Sequence, residues 1–213
     1  MTLRETHTGA VGLGDTVEVG GGWEARRERM SRRIERSALM LFAKERAEDV
    51  TIERLADAAG ISVRTWFRYF AGRDEVFAAL PMRKLELISN FVRARPAEET
   101  LVEAFSAAVA ASQATETESE MVLLWGFAVH RSPEPALWAM ARTALTMTGV
   151  FQAIIAERLG IDEIDPRAGA LGAAFSGLVA YSYQRWVAEG GNGSLADMVA
   201  ESFAVLSELH ERT

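Results

Sequence analysis

Arg64 and Arg68 stand four residues apart in the stretch GISVRTWFRYFAGR, flanked by Val63, Thr65, Phe67 and Tyr69 and followed by Arg73. A guanidinium is planar, always charged and presents its N–H donors as a fixed fork, so it can bind a carboxylate, a phosphate or the O6/N7 edge of guanine through paired hydrogen bonds. A spacing of four puts both arginines on one face if the segment is helical. Other chemistry is poorly supplied. The 213 residues include no cysteine, which excludes disulfides, thiolate metal ligands and a thiol nucleophile. His7, His130 and His210 lie too far apart to form a metal-ligand spacing. Glu116, Glu118 and Glu120 read as the solvated start of a helix, not as a paired acid and base. Gly12 and Gly14 form a G-x-G, but the third glycine and the preceding strand of a phosphate-binding fingerprint are missing. No cofactor and no metal are implied, and an enzyme built on this chain would lack an equipped centre.

The arginines can act only if neighbouring elements hold them outward. The chain is 49% apolar and 25% charged, enough for a sizeable core. Its apolar residues recur at helical spacing almost throughout, without a run of alternating apolar and polar residues, so the fold expected is all-α. A first helix over 23–45 carries Ile34, Ala38, Leu41 and Phe42 on one side and six arginines between Arg26 and Arg36 on the other. Thr51 caps a short second helix with Ile52, Leu55, Ala56 and Ala59 as its buried stripe. Gly60 can take the left-handed conformation that ends it, Ile61 returns the chain to the core, and Ser62 caps a third helix from Val63 to about Phe70.

That pattern is a helix-turn-helix, with the small Ala56 at the close approach and Gly60 at the turn. Once Ile61, Trp66 and Phe70 face inward, Val63, Arg64, Thr65 and Arg68 are left outward near the start of the third helix, the end that meets base edges in a DNA major groove. Tyr69, Arg73 and the backbone at Thr51 sit towards the phosphates. A plain helical hairpin would need the same apolar residues but not the exposed arginines. Charge agrees: residues 23–75 hold 12 Lys and Arg against 10 Asp and Glu, whereas 76–213 hold 10 against 17, a basic end suited to a polyanion and an acidic body that is not.

The stretch 34–77, including ALMLFA, TIERLADAAGISVRTWFRYF and AGRDEVF, resembles the N-terminal DNA-binding domain of the tetracycline-repressor (TetR) family of bacterial transcription regulators. The resemblance implies a homodimer with a three-helix DNA-binding head, a larger helical body that binds a small-molecule effector, and release of double-stranded DNA when the effector binds. It matches Thr51, Thr65, Tyr69 and Arg73 to positions that touch the DNA backbone, and Val63, Arg64 and Arg68 to positions that approach bases. The sequence departs from the family at Phe67, where a phosphate-bonding tyrosine is usual, at Arg73 in place of a lysine, and at Arg46 in place of a helix-ending glycine; Phe67 stays in the candidate interface by position. The TWFRYF variant and the stretch YQRWVAEGGNGSLADMV are similar to an actinobacterial branch that includes mycofactocin-system and acyl-CoA-responsive regulators.

The organisation expected is a flexible glycine-rich tail over 1–22, a DNA-binding domain over 23–75 and an effector-binding and dimerisation domain over 76–213. The body reads as helices over 74–93, one opened by Pro96, then 116–131, 133–159, 167–189 and 195–212. The longest uncharged run, Ala168 to Gln184, is short of a membrane span, and the tail has no secretory signal, so a cytoplasmic protein without a membrane partner is expected. Met121, Trp125, Phe127, Met140, Met147, Phe151 and Phe175 can line an adaptable pocket for an apolar effector with an acyl or aromatic moiety, or serve as plain core. His130, Arg131 and Arg142 are the candidates for an anionic head group. The small residues around Leu171, Phe175, Leu178 and Tyr181 and the stripe Leu195, Met198, Val199, Phe203, Leu206 and Leu209 can cover each other within one subunit; the resemblance implies instead that these last two helices dimerise. Pro81 should kink the segment joining head to body.

Overall fold

The computed structural model describes residues 21–112, 116–190 and 192–211, without the side chains at 21, 116–118, 140 and 206–211. The tail over 1–20 and the side chains of Met140, Leu206 and Leu209 therefore lie outside the described residues. These form α1 (Gly21–Phe42), α2 (Ile52–Ala58), α3 (Val63–Trp66), α4 (Val76–Ala94), α5 (Leu101–Ser112), α6 (Glu116–Arg131), α7 (Pro133–Leu159), α8 (Pro166–Ala188) and α9 (Leu195–Glu211), and among them there is no strand. The fold is all-α.

Helix α1 starts two residues before the expected Trp23 and stops at Phe42, because the amides of Lys44 and Glu45 both turn back onto the Leu41 carbonyl at 2.9 Å. A short 3-10 turn, Ala47–Asp49, then leads to α2. Ile34, Ala38 and Phe42 of α1 close on Leu55 and Ala56 of α2, on Trp66 and on Phe77 of α4, all essentially without solvent contact. Arg33 reaches across from α1 to the Ala59 carbonyl at the end of α2 at 3.0 Å, so part of the arginine-rich face is engaged inside the subunit.

The body packs α4 on α5 and α7, α7 on α8, and α9 on α5 and α8. Its centre is a cluster of rings: Phe105 meets Phe151 and Phe175 with centroids 4.9 and 4.7 Å apart, edge to face, and Phe203 closes on Phe175 at 4.7 Å. Gly172 of α8 lies so close to α7 that a Cβ would stand 2.9 Å from the Gln152 amide nitrogen, which explains one of the small residues there as an intrasubunit contact. Pro96 opens a turn and not a helix. The helix begins at Leu101, where Thr100 and Glu103 make a capping box: Thr100 Oγ1 accepts the Glu103 amide at 3.2 Å and the Glu103 carboxylate accepts the Thr100 amide at 2.8 Å. That amide bond holds the Glu103 carboxyl below its ordinary range. By length and composition α7 alone among the described helices could cross a membrane; here it packs against α4 and α8.

Candidate DNA-binding surface and effector cavity

The turn between α2 and α3 is closed by backbone geometry. Gly60 adopts φ +64°, its amide bonds to Asp57 O at 2.9 Å and the Ile61 amide to Ala56 O at 3.0 Å, the pairing that ends a helix on a left-handed residue. At either side a hydroxyl caps a helix: Thr51 Oγ1 accepts the Arg54 amide at 3.3 Å and Ser62 Oγ accepts the Thr65 amide at 3.1 Å. The α-helical part of α3 is one turn, shorter than the expected run to Phe70, but the amides of Phe67 to Phe70 stay bonded three or four residues back, so the rod continues as a tightened turn.

Trp66 and Phe70 point into the core, ring against ring at 5.4 Å, and fix which side of α3 faces out. Arg64, Phe67 and Arg68 are exposed, and Val63, Thr65 and Tyr69 are half-buried beside them. The Arg68 guanidinium rests over the Tyr69 ring, 5.2 Å from its centroid, which holds it along α3 without removing its donors. Thr65 Oγ1 lies 2.9 Å from Ser62 Oγ. Arg73, expected towards the phosphates, donates to the carbonyls of Glu48 at 2.9 Å and Val50 at 3.4 Å, pinning the loop that presents Thr51. Nearby, Arg54 makes a two-pronged pair with Glu45 at 2.5 and 2.6 Å; this hydrogen bond lowers the Glu45 carboxyl from its ordinary range and raises the Arg54 guanidinium.

In the body, α4, α6, α7 and α8 line a mostly apolar, partly open cavity of about 330 Å³. Trp125 and Met147 line it as expected from their types, together with Leu80, Pro81, Ile88 and Val179. Phe151 and Phe175 do not: they belong to the solid aromatic cluster, and Met121 is likewise buried core. Phe127 and His130 lie on a neighbouring groove of about 410 Å³ between α6 and α8, which shares Trp125 and Gln184 with the cavity. Of the expected anion-binding candidates, Arg131 is exposed and Arg142 borders a separate groove that α4 and α7 form with α1 and with Tyr69 and Phe70. The cationic group actually in the cavity wall is Lys84, buried, with Nζ donating to the Ser112 carbonyl at 2.6 Å. In the sequence it interrupts an apolar helix stripe, where a lysine reads as a solvated residue; its spacing of four from Leu80 and Ile88 is the signal that places it on the inner face.

Besides the packing of α1 on α6 and α4, three polar contacts among the described residues join head and body. Glu35 of α1, fully buried, takes both ends of the Arg83 guanidinium at 2.6 and 3.4 Å. The Ala47 amide donates to Ser132 Oγ at 2.7 Å at the α6–α7 corner, and Arg36 pairs with Glu120 at 2.6 Å on the surface.

This geometry has relatives. Residues 34–80 match the family described as "Bacterial regulatory proteins, tetR family", and residues 96–211 match "MftR C-terminal domain". The HTH-type transcriptional regulator TcmR of Streptomyces glaucescens is 34% identical over 151 residues, 67% of this chain and 66% of that protein, so the chain spans just under two thirds of its length. Among solved structures, a TetR-family transcriptional regulator from Rhodococcus sp. superposes with a TM-score of 0.58 at 16% identity, covering 84% of this chain and 97% of that one. The fatty acid degradation regulator FadR of Bacillus halodurans gives 0.56 at 15% identity, covering 83% and 93%. At such identities the two structures speak for the fold.

Proposed function

Because the chain belongs to the tetR family of bacterial regulatory proteins, and is thus a DNA-binding transcription regulator and not an enzyme, we propose that α3 is its recognition helix and that a small apolar effector in the α4–α6–α7–α8 cavity releases it from a pseudopalindromic operator. On this reading Arg64 and Arg68 read guanine edges, Val63 meets a thymine methyl or a base edge, and Thr51, Thr65 and Tyr69 bind phosphates. Phe67 stands at the rim, where its ring packs on sugar. Arg73 joins Thr51, Thr65 and Tyr69 at the DNA backbone while its bonds to the Glu48 and Val50 carbonyls hold the loop of Thr51. The observation that carries the reading is the exposure of Arg64 and Arg68 on a helix whose other side is locked by Trp66 and Phe70.

The operator would be read by two copies, with their recognition helices about 34 Å apart. Support for the dimer face comes from what remains outward on the last two helices. Phe175, Met198, Val199 and Phe203 cover each other within the subunit, so a second copy is left with Ala173, Gly177 and Tyr181 of α8 and Ala204 and Val205 of α9. We take 23–75 as the DNA-binding unit, 76–213 as the effector and dimer unit, and the cytoplasm, where the chromosome is, as the compartment. Selection of duplexes from a randomised pool, followed by binding at rising salt, tests the function. A pseudopalindromic winner whose affinity falls steeply with salt is expected; sequence-indifferent binding would overturn it.

A further inference from the structure

Trp125 connects the cavity to the head through a carbonyl that the chain itself leaves without its usual partner. In an unbroken helix the carbonyl of Phe77 accepts the amide of residue 81. Residue 81 is proline, which has no N–H to give. The indole Nε1–H of Trp125 donates to that oxygen at 2.8 Å in a buried setting. The same indole forms cavity wall beside Pro81 itself. On its other side Phe77 faces the head: its ring stacks flat on Phe42 of α1, with centroids 5.2 Å apart and planes within 11°. The amides of Val76, Phe77 and Ala78 bond back to the carbonyls of Arg73, Asp74 and Glu75, the segment that leaves α3. The polar ties between head and body already described, Glu35 to Arg83, Arg36 to Glu120 and Ala47 to Ser132, use no residue of the cavity wall.

We propose that Trp125 is the positioning residue that carries the state of the cavity to the DNA-binding surface. With the ring in place, its N–H holds the first turn of α4, and Phe77 stacked on Phe42 holds the head to that turn. An occupant that turns the ring removes the donor from the Phe77 carbonyl. A buried acceptor without a partner is costly, so the turn moves to find one, and the head moves with it. Proline at 81 makes the device work, since an amide there would satisfy the carbonyl whatever the ring did. This last step rests on the effector reading of the cavity; the link between Trp125 and the head does not.

A double-mutant cycle on the full-length, unliganded protein tests the link, using the duplex best retained from the randomised pool. Trp125→Phe keeps a ring but not the donor, and is expected to change affinity for that duplex by about tenfold and to lower the thermal unfolding midpoint. In the Pro81→Ala background, where an amide returns to the Phe77 carbonyl, the same Trp125→Phe change should alter affinity by less than about twofold and lower the midpoint by a smaller amount, that of the lost packing alone. Unchanged affinity on Trp125→Phe alone, or an equal loss with and without Pro81→Ala, overturns the proposal, the second because it means that the indole acts by packing only. The effector reading is tested separately by titrating 8-anilinonaphthalene-1-sulfonate into wild-type protein bound to the duplex. Dye that enters the cavity and leaves DNA affinity unchanged counts against that reading, while the mutant cycle still decides the link.

Discussion

Head and body both hold a few polar groups where a partner can reach them, yet they are built on opposite plans. In the head, everything that aims Arg64 and Arg68 lies within a short run of chain: the Thr51 and Ser62 caps, the left-handed Gly60, and Trp66 and Phe70 on the inner face. In the body, the cavity draws Leu80, Trp125, Met147 and Gln184 from four helices far apart in sequence, and no local feature defines it. The difference shows where each can be damaged. A surface reader loses contacts one at a time, whereas a cavity and the joint beside it depend on tertiary packing that a single buried charge can undo.

The joint gives the largest expected effect. Glu35 is fully buried and neutralises Arg83, whose own side chain is mostly buried as well. Glu35→Ala leaves a guanidinium in the interior without its counter-charge, which costs about 3–5 kcal/mol and should lower the unfolding midpoint by about 10 °C. The exposed pair Arg36 and Glu120 spans the same two regions, and Arg36→Ala should cost under about 1 kcal/mol. Calorimetry on both variants checks this. If the two changes proved equal, burial would not be what distinguishes the joint from the surface.

Within the head the next effect separates reading from support. Arg64 is exposed and makes no hydrogen bond or ion pair among the described residues, so Arg64→Ala should leave stability unchanged while reducing discrimination at one base pair by about 1–3 kcal/mol. Arg73 is tied to the Glu48 and Val50 carbonyls, so Arg73→Ala should weaken binding to every duplex alike and also lower the unfolding midpoint. Competition binding against single-base operator variants, together with thermal unfolding, resolves the two patterns. Loss of base preference on Arg73→Ala would mean that its guanidinium leaves the loop to reach a base edge.

The same contrast explains how far the sequence could be read. The caps, the glycine turn and the inward Trp66 were legible because each is a property of a residue and its near neighbours. A further consequence follows at Gly60: its φ of +64° disfavours any side chain although nothing stands within 4 Å of the position, so Gly60→Ala should cost about 1 kcal/mol from backbone strain alone, measurable by denaturant unfolding. The end of α1 and the start of α5 differ from what periodicity and proline predict because local hydrogen bonds at Leu41 and the Thr100 and Glu103 box decide them. The cavity was legible only as a list of residue types: Trp125 and Met147 line it, while Phe151 and Phe175 fill a solid core of the same composition. Nothing in periodicity separates the wall of a hole from the middle of a core, because both need apolar side chains on the inner face of a helix.

The smallest effect tests the surface that the body keeps for itself. Gly126 and Gly177 both sit inside helices, where replacing glycine by alanine gains up to about 1 kcal/mol if space allows. At Gly126 a Cβ would stand 2.3 Å from Val187 Cγ1, so that gain is lost to a clash between α6 and α8. At Gly177 nothing lies within 4 Å, so a subunit alone should accept the methyl and unfold a few degrees higher. If a second copy packs its own α8 against Ala173, Gly177 and Tyr181, the methyl enters a close helix contact, and Gly177→Ala should weaken the dimer while stabilising the monomer. Sedimentation across a concentration series, set beside unfolding at high dilution, reads the two effects apart. A dimer of unchanged affinity would remove Gly177 from the contact and move the interface to the outward side of α9.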